Sequence, residues 1–142
     1  AAHIAPRLIG MSTIEMESSL DLEEQIRLIH DIMKDRRRVK VLKNLIKSMS
    51  PAELRKDGMK NDSAQLRRIR DLPMKSIKAP TLIIHGTEDA DVSIRDAQLA
   101  AQEIPQSELY LVPGGFHVLA LADSIDQVTD KRISFLQKNS PR

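Results

Sequence analysis

The chain has 142 residues, of which 41% are hydrophobic and 30% charged, with no cysteine and a formal net charge of +2 at pH 7. This balance is typical of one globular domain, and it excludes disulfide bonds and cysteine-ligated metal sites. Only three residues are aromatic, Tyr110, Phe116 and Phe135, so a surface that stacks nucleic-acid bases on aromatic side chains is not expected.

Histidine spacing and hydropathy limit the kinds of binding site and the cellular compartment that the sequence predicts. The four histidines form no His-x-x-x-His pair, so neither a zinc site nor another cofactor is expected. No apolar run approaches the roughly 18 residues that a membrane-spanning helix needs, and the first residues show no signal-peptide pattern. The sequence therefore predicts a cytoplasmic protein that does not contact a membrane.

Positive charge is concentrated in the middle of the chain. Residues 36–78 contain 14 basic and 4 acidic residues, and the segments on either side are net acidic. A basic block can bind nucleic-acid phosphates. Because its arginines and lysines interleave with apolar helix stripes and with no aromatics, we interpret it as solvated helix faces and expect no nucleic-acid partner.

Residues 1–78 predict short helices and no strand. Apolar residues recur at spacings of three and four over 20–34, behind the cap residues Ser18 to Asp21, and again over 39–49. Ser50-Pro51 is typical of a helix start. We expect Asp57-Gly58 to end that short turn and Asn61-Asp62-Ser63 to cap a further helix. Residues 1–16 give no clear pattern.

From Ala79 onward the pattern predicts a strand, a helix, a strand and a helix, over 81–85, 93–104, 108–112 and 124–137. This order implies two parallel strands in an α/β sheet. Two parallel strands alone do not make a stable sheet, and both faces of a parallel sheet need cover. We therefore expect either a piece of a larger domain or a sheet edge that pairs with another chain.

Both predicted strands end in a glycine turn that is followed by a side chain suited to catalysis. Asp89 follows His85-Gly86, and His117 follows Gly114-Gly115. Adjacent parallel strands bring such turns to one edge of the sheet, where an acid and a histidine can activate a nucleophile. Two ordinary polar turns would give the same spacing.

The other polar residues near these turns have ordinary explanations. Glu88 and Asp91 compete with Asp89 as the acid, and we interpret both as solvated loop acids. We interpret His85 as a semi-buried, hydrogen-bonded histidine at the end of its strand.

The sequences APTLIIHGTEDADV and LVPGGFHVLAL resemble the C-terminal portion of the α/β-hydrolase fold family. The preceding GMKNDSAQLRRIRDLPMKSIK resembles the end of the helical cap in bacterial members that act on esters or similar substrates. In that family a His-Gly-x-x-Asp turn holds the triad acid and a Gly-x-x-His turn holds the triad histidine. The resemblance thus implies Asp89 as the acid and His117 as the base.

The family nucleophile lies on a Gly-x-Ser-x-Gly elbow, and these 142 residues contain no such motif. The resemblance implies a helical cap segment, residues 1–78, followed by the β-α-β-α C-terminal part of the hydrolase core, residues 79–142. We expect the parent to be a serine hydrolase for a small carboxylic ester or similar carbonyl substrate. Without a nucleophile, the chain alone should be inactive.

An alternative from a different class is a non-catalytic interaction module. Its open sheet edge would pair with a second copy of the chain or with a complementing N-terminal half. A homodimer is the expected outcome of the first arrangement.

Overall fold

The computed structural model describes residues 4–49 and 52–140. Within them lie six α-helices and two β-strands, in the order α1 (Ile4–Glu17), α2 (Leu22–Lys34), α3 (Arg36–Met49), α4 (Lys56–Leu66), β1 (Thr81–Gly86), α5 (Ile94–Glu103), β2 (Ser107–Val112) and α6 (Ile125–Asn139). Short 3₁₀ turns cover Ala52–Arg55, Met74–Ser76 and Leu119–Leu121. The helix start expected at Ser50-Pro51 lies outside the described residues.

The two strands are parallel neighbours in one sheet, paired from Thr81 with Ser107 to Gly86 with Val112. The helix α5 forms the crossover between them and packs on both strands, as a parallel connection requires. The predicted order of strand, helix, strand and helix is confirmed, and with it the α/β fold class.

The helix α2 begins where its cap residues predict. Asp21 accepts a hydrogen bond from the Glu24 N–H at 2.9 Å, and the Glu24 side chain accepts one from the Asp21 N–H at 3.2 Å. This reciprocal pair is a capping box, which satisfies two backbone donors at the helix start. The helix α3 begins earlier than its apolar stripe indicates, because the Asp35 side chain accepts the Arg37 N–H at 2.7 Å.

Two local predictions for the helical segment are wrong. Gly58 does not end a turn and Asn61-Asp62-Ser63 do not cap a helix, because all of them lie inside α4. No residue of α4 is buried. Its short polar side chains therefore stay in water rather than competing for the backbone, and an exposed glycine is tolerated at a cost of about 1 kcal/mol. Residues 4–16 of the unassigned first segment lie in α1.

The hydrophobic core joins the helical segment to the loop after β2. Ile14, Ile29 and Leu42, from α1, α2 and α3, are fully buried against Phe116 and Leu121. The loop that contains His117 (residues 113–118, the histidine loop) thus packs on three helices that precede it by about 70 residues or more in sequence. No helix in the described part of the chain is both long and apolar enough to cross a membrane.

Candidate active site

Close packing of two glycine turns positions the site. A Cβ atom on Gly86, at the end of β1, would overlap the backbone carbonyl of Gly115, beyond the end of β2. Backbone hydrogen bonds continue across this contact, from the Thr87 N–H to the Val112 carbonyl at 3.0 Å and from the Glu88 N–H to the Gly115 carbonyl at 2.8 Å. The loop that contains Asp89 (residues 87–93, the acid loop) and the histidine loop therefore meet at the carboxyl edge of the sheet.

Asp89 lies at the centre of the acid loop. Its side chain is only 6% exposed, and its Oδ1 accepts the N–H groups of Asp91 at 3.0 Å and Val92 at 2.9 Å. Burial raises the pKa of Asp89, but hydrogen bonds from the Val92 N–H, the His117 ring and the Asp91 N–H outweigh it, so the pKa lies below its ordinary value. Asp89 is a fixed carboxylate.

His117 lies beside this carboxylate. Its Nδ1 is 3.1 Å from the Asp89 Oδ2, so the predicted neighbours are brought together. A proton on Nδ1 would be donated to Asp89, which leaves the lone pair on Nε2. The side chain is 40% exposed, and Nε2 is therefore accessible to a reacting group. This is the orientation of a general base supported by an acid.

His85 and Glu88 lie next to the Asp89–His117 pair, and the His85 Nδ1 is 3.8 Å from the Asp89 Oδ2. The His85 side chain is 10% exposed and its Nε2 lies 3.1 Å from the Val92 carbonyl, so it is a hydrogen-bonded histidine under the acid loop. Glu88, which was predicted to be a solvated loop acid, instead accepts a 2.6 Å hydrogen bond at its Oε2 from the Ser19 hydroxyl. The Asp91 side chain is 62% exposed, as expected for a solvated loop acid, and its Oδ2 lies 3.6 Å from the His117 Nε2.

The junction between α1 and α2 is part of the site, and sequence reasoning missed it. The Glu17 carbonyl accepts the N–H groups of His117 at 3.1 Å and Ala90 at 3.4 Å, and the Ser19 N–H donates to the Glu88 carbonyl at 2.9 Å. These contacts join positions about 70 to 100 residues apart. No local motif marks them.

Among the described residues, the Asp89–His117 pair has no candidate nucleophile hydrogen-bonded to it. No serine hydroxyl among them is hydrogen-bonded to His117, whose ring contacts are Asp89 and Asp91. A groove of about 570 Å³ runs along α4 past Lys56, Met59 and Arg67 and is not lined by either Asp89 or His117. The candidate site is therefore the oriented carboxylate–imidazole pair at the strand ends.

Comparison with known proteins supports the same fold. No family model matches the chain, and no curated protein matches it. Among solved structures, an alpha/beta hydrolase fold protein from Nakamurella multipartita is 31% identical, with a TM-score of 0.82 over 96% of this chain. The chain spans about half of that protein, 47% of its length. The resemblance to the α/β-hydrolase fold is confirmed, and the chain has the architecture of the matching part of that fold.

Proposed function

We propose that this chain, with its α/β-hydrolase architecture, supplies the acid and the base of a serine hydrolase. Asp89 orients His117 through Nδ1, and His117 Nε2 removes the proton from a serine hydroxyl as that oxygen attacks a carboxylic ester or similar carbonyl. The protonated histidine then returns the proton to the leaving group. The observation that supports this role is the 3.1 Å contact between His117 Nδ1 and a buried Asp89 carboxylate.

The serine in this proposal comes from outside the 142 residues, on a Gly-x-Ser-x-Gly elbow. Its source is either a preceding segment of the same polypeptide or a complementing chain. The 142-residue chain by itself should neither hydrolyse esters nor form an acyl-enzyme, since removing the nucleophile removes covalent catalysis. Labelling of the isolated chain by a serine-reactive fluorophosphonate would contradict this.

A chimera tests the catalytic roles directly. This chain would replace the matching 47% of the N. multipartita protein, and both proteins would be assayed with p-nitrophenyl esters. We expect turnover by the chimera that falls by a factor of about 10³ or more in Asp89→Ala and His117→Ala. The matched variants Asp96→Asn and His30→Gln, which alter exposed residues of the same types, should retain it.

Two results would refute the proposal. One is a folded chimera whose ester turnover is unchanged in Asp89→Ala and His117→Ala. The other is a folded chimera that turns over no ester while the N. multipartita parent does. Far-ultraviolet circular dichroism of each variant would separate loss of folding from loss of chemistry.

A non-catalytic interaction module is the second candidate function. The described sheet has only two strands, and most strand residues are half-buried rather than buried. Unpaired edges of this kind favour pairing with another chain. A molar mass by light scattering that stays at 16.0 kDa across micromolar to millimolar concentrations would count against a homodimer.

A further inference from the structure

The base nitrogen of His117 faces two carboxylates. Glu17, Asp91 and His117 each offer one ligand atom, and these three atoms lie within 4.8 Å of one another. The distance from His117 Nε2 to Asp91 Oδ2 is 3.6 Å. We propose that these three residues form a binding site for a divalent transition-metal ion of the Zn²⁺ type. The site shares His117 with the hydrolase proposal, but binding of the ion needs no nucleophile and no substrate.

The orientation of the His117 ring is the first argument. Metal-binding histidines almost always donate their second ring N–H to a carboxylate or carbonyl, which fixes the tautomer and leaves the other nitrogen free to bind. Asp89 holds Nδ1 at 3.1 Å and is itself buried. The Nε2 lone pair therefore points to the side on which Asp91 lies, at 3.6 Å.

The second argument is that the backbone already holds the three ligands together. The Glu17 carbonyl accepts N–H groups from both His117 and Ala90, and the Asp89 side chain accepts the Asp91 N–H. Three segments that are distant in sequence are thus joined at Glu17, at His117 and at Ala90, which is next to Asp91. Forming the site needs side-chain adjustment of Glu17 and the exposed Asp91, without movement of the loops.

Charge is the third argument. In the part of the chain that the structure describes, neither Glu17 nor Asp91 forms an ion pair with a lysine or arginine. Two carboxylates that lack a lysine or arginine partner favour a cation between them. The mixture of nitrogen and oxygen ligands suits Zn²⁺ and similar ions, whereas Mg²⁺ and Ca²⁺ prefer all-oxygen sites with more ligands.

A bound metal would take the lone pair that general-base catalysis needs. The two roles of His117 therefore exclude one another, and Zn²⁺ would act as a reversible block at the base. Histidine spacing gave no sign of the site, because it uses one histidine and two acids from separate segments.

Calorimetric titration of the 142-residue chain with Zn²⁺ tests the site, with the His117 ring nitrogens followed by NMR. The variant Glu17→Gln/Asp91→Asn removes two proposed ligands. Its control, Glu15→Gln/Asp96→Asn, removes the same charge from exposed neighbours. We expect the first pair to weaken Zn²⁺ binding by more than about 100-fold, since even loss of an outer partner costs roughly 10- to 100-fold. The control should change it little.

Two results would overturn the site. Equal Zn²⁺ affinity in both double variants would show that the measured binding is non-specific. Unchanged His117 Nε2 resonances at saturating Zn²⁺ would place the ion elsewhere. Because the titration uses neither ester nor nucleophile, its outcome is independent of the hydrolase proposal.

Discussion

The buried carboxylate of Asp89 makes stability depend on pH. Its pKa is lowered in the folded chain, whereas an aspartate in an unfolded chain titrates at about 3.9. The folded state binds fewer protons in this range, so its stabilisation is present above about pH 4 and is lost as the pH falls through the lower folded pKa. Acid should therefore weaken the contact that orients His117.

We expect Asp89→Asn to lose less stability than the wild type when urea unfolding is compared between about pH 6 and about pH 3. The comparison is needed because hydrogen bonds from the Arg37 N–H and from Lys138 also lower the pKa values of Asp35 and Glu108. Only the difference between the two proteins reports on Asp89. Parallel pH profiles would show that its carboxylate contributes nothing to acid unfolding.

Gly86 provides a second residue-scale prediction. An alanine Cβ there would overlap the Gly115 carbonyl, whereas a Cβ on Gly58 would meet nothing within 4 Å. Gly86→Ala should lower the free energy of unfolding by about 1–3 kcal/mol or more, through forced separation of the two loops. Gly58→Ala, inside an exposed helix, should raise it by roughly 0.5–1 kcal/mol. Urea denaturation measures both, and a neutral Gly86→Ala would contradict the close approach.

Local sequence patterns account for the formation of the helices, whereas contacts between residues distant in sequence set their positions. The cap residues Ser18 to Asp21 and the apolar spacing predicted a helix over 20–34, which differs from α2 by two residues at its start. No amphipathic stripe marked α1, so its burial of Ile14 against the histidine loop could not be foreseen. The boundary error at Gly58 arose because glycine is a breaker in most contexts but is only a modest cost in an exposed helix.

Two adjacent arginines at the start of α3, Arg37 and Arg38, differ in their burial and in the groups that they contact. The Arg38 side chain is 9% exposed, lies 2.9 Å from the Asp123 carboxylate and donates to the Leu121 carbonyl. The Arg37 side chain is 73% exposed and meets Asp126 in water. Arg38 thus ties α3 to the segment that follows His117.

We expect Arg38→Met to reduce the free energy of unfolding by roughly 1–3 kcal/mol, because it leaves the buried Leu121 carbonyl without its donor. Arg37→Met should have little effect, since exposed ion pairs contribute little. Chemical denaturation of the two variants provides the comparison. Equal losses would mean that helix charge, rather than the buried contact, matters.

At the scale of the whole molecule, the sequence predicted which side chains meet at the strand ends better than it predicted the packing. Asp89 and His117 followed from strand-end turns that parallel topology brings together. Glu17 and Ser19 did not, because hydrogen bonds between residues some 70 to 100 positions apart leave no spacing to recognise. The sheet of the described residues has two strands, and the hydrolase-fold protein that the chain resembles is about twice as long.

The direction of the backbone groups in β1 identifies its open edge. The N–H of Thr81 donates to the Gln106 carbonyl and that of Thr87 to the Val112 carbonyl. The backbone N–H groups of alternate residues of β1, including Ile83 and His85, therefore face β2. By the same alternation the N–H groups of Leu82 and Ile84 face away from β2. These are the groups that a further strand would bind.

Amide hydrogen exchange should therefore be slow and fast at alternate residues of β1. In the dilute chain, the amides of Ile83 and His85 should exchange slowly, and those of Leu82 and Ile84 should exchange much faster, because no strand within the described residues accepts their hydrogen bonds. Protection of Leu82 and Ile84 that grows with concentration would reveal a second copy at this edge. Protection that appears only in the chimera would instead place the nucleophile-bearing part there. Slow exchange of all four amides at high dilution, where light scattering gives a monomer, would contradict an open edge.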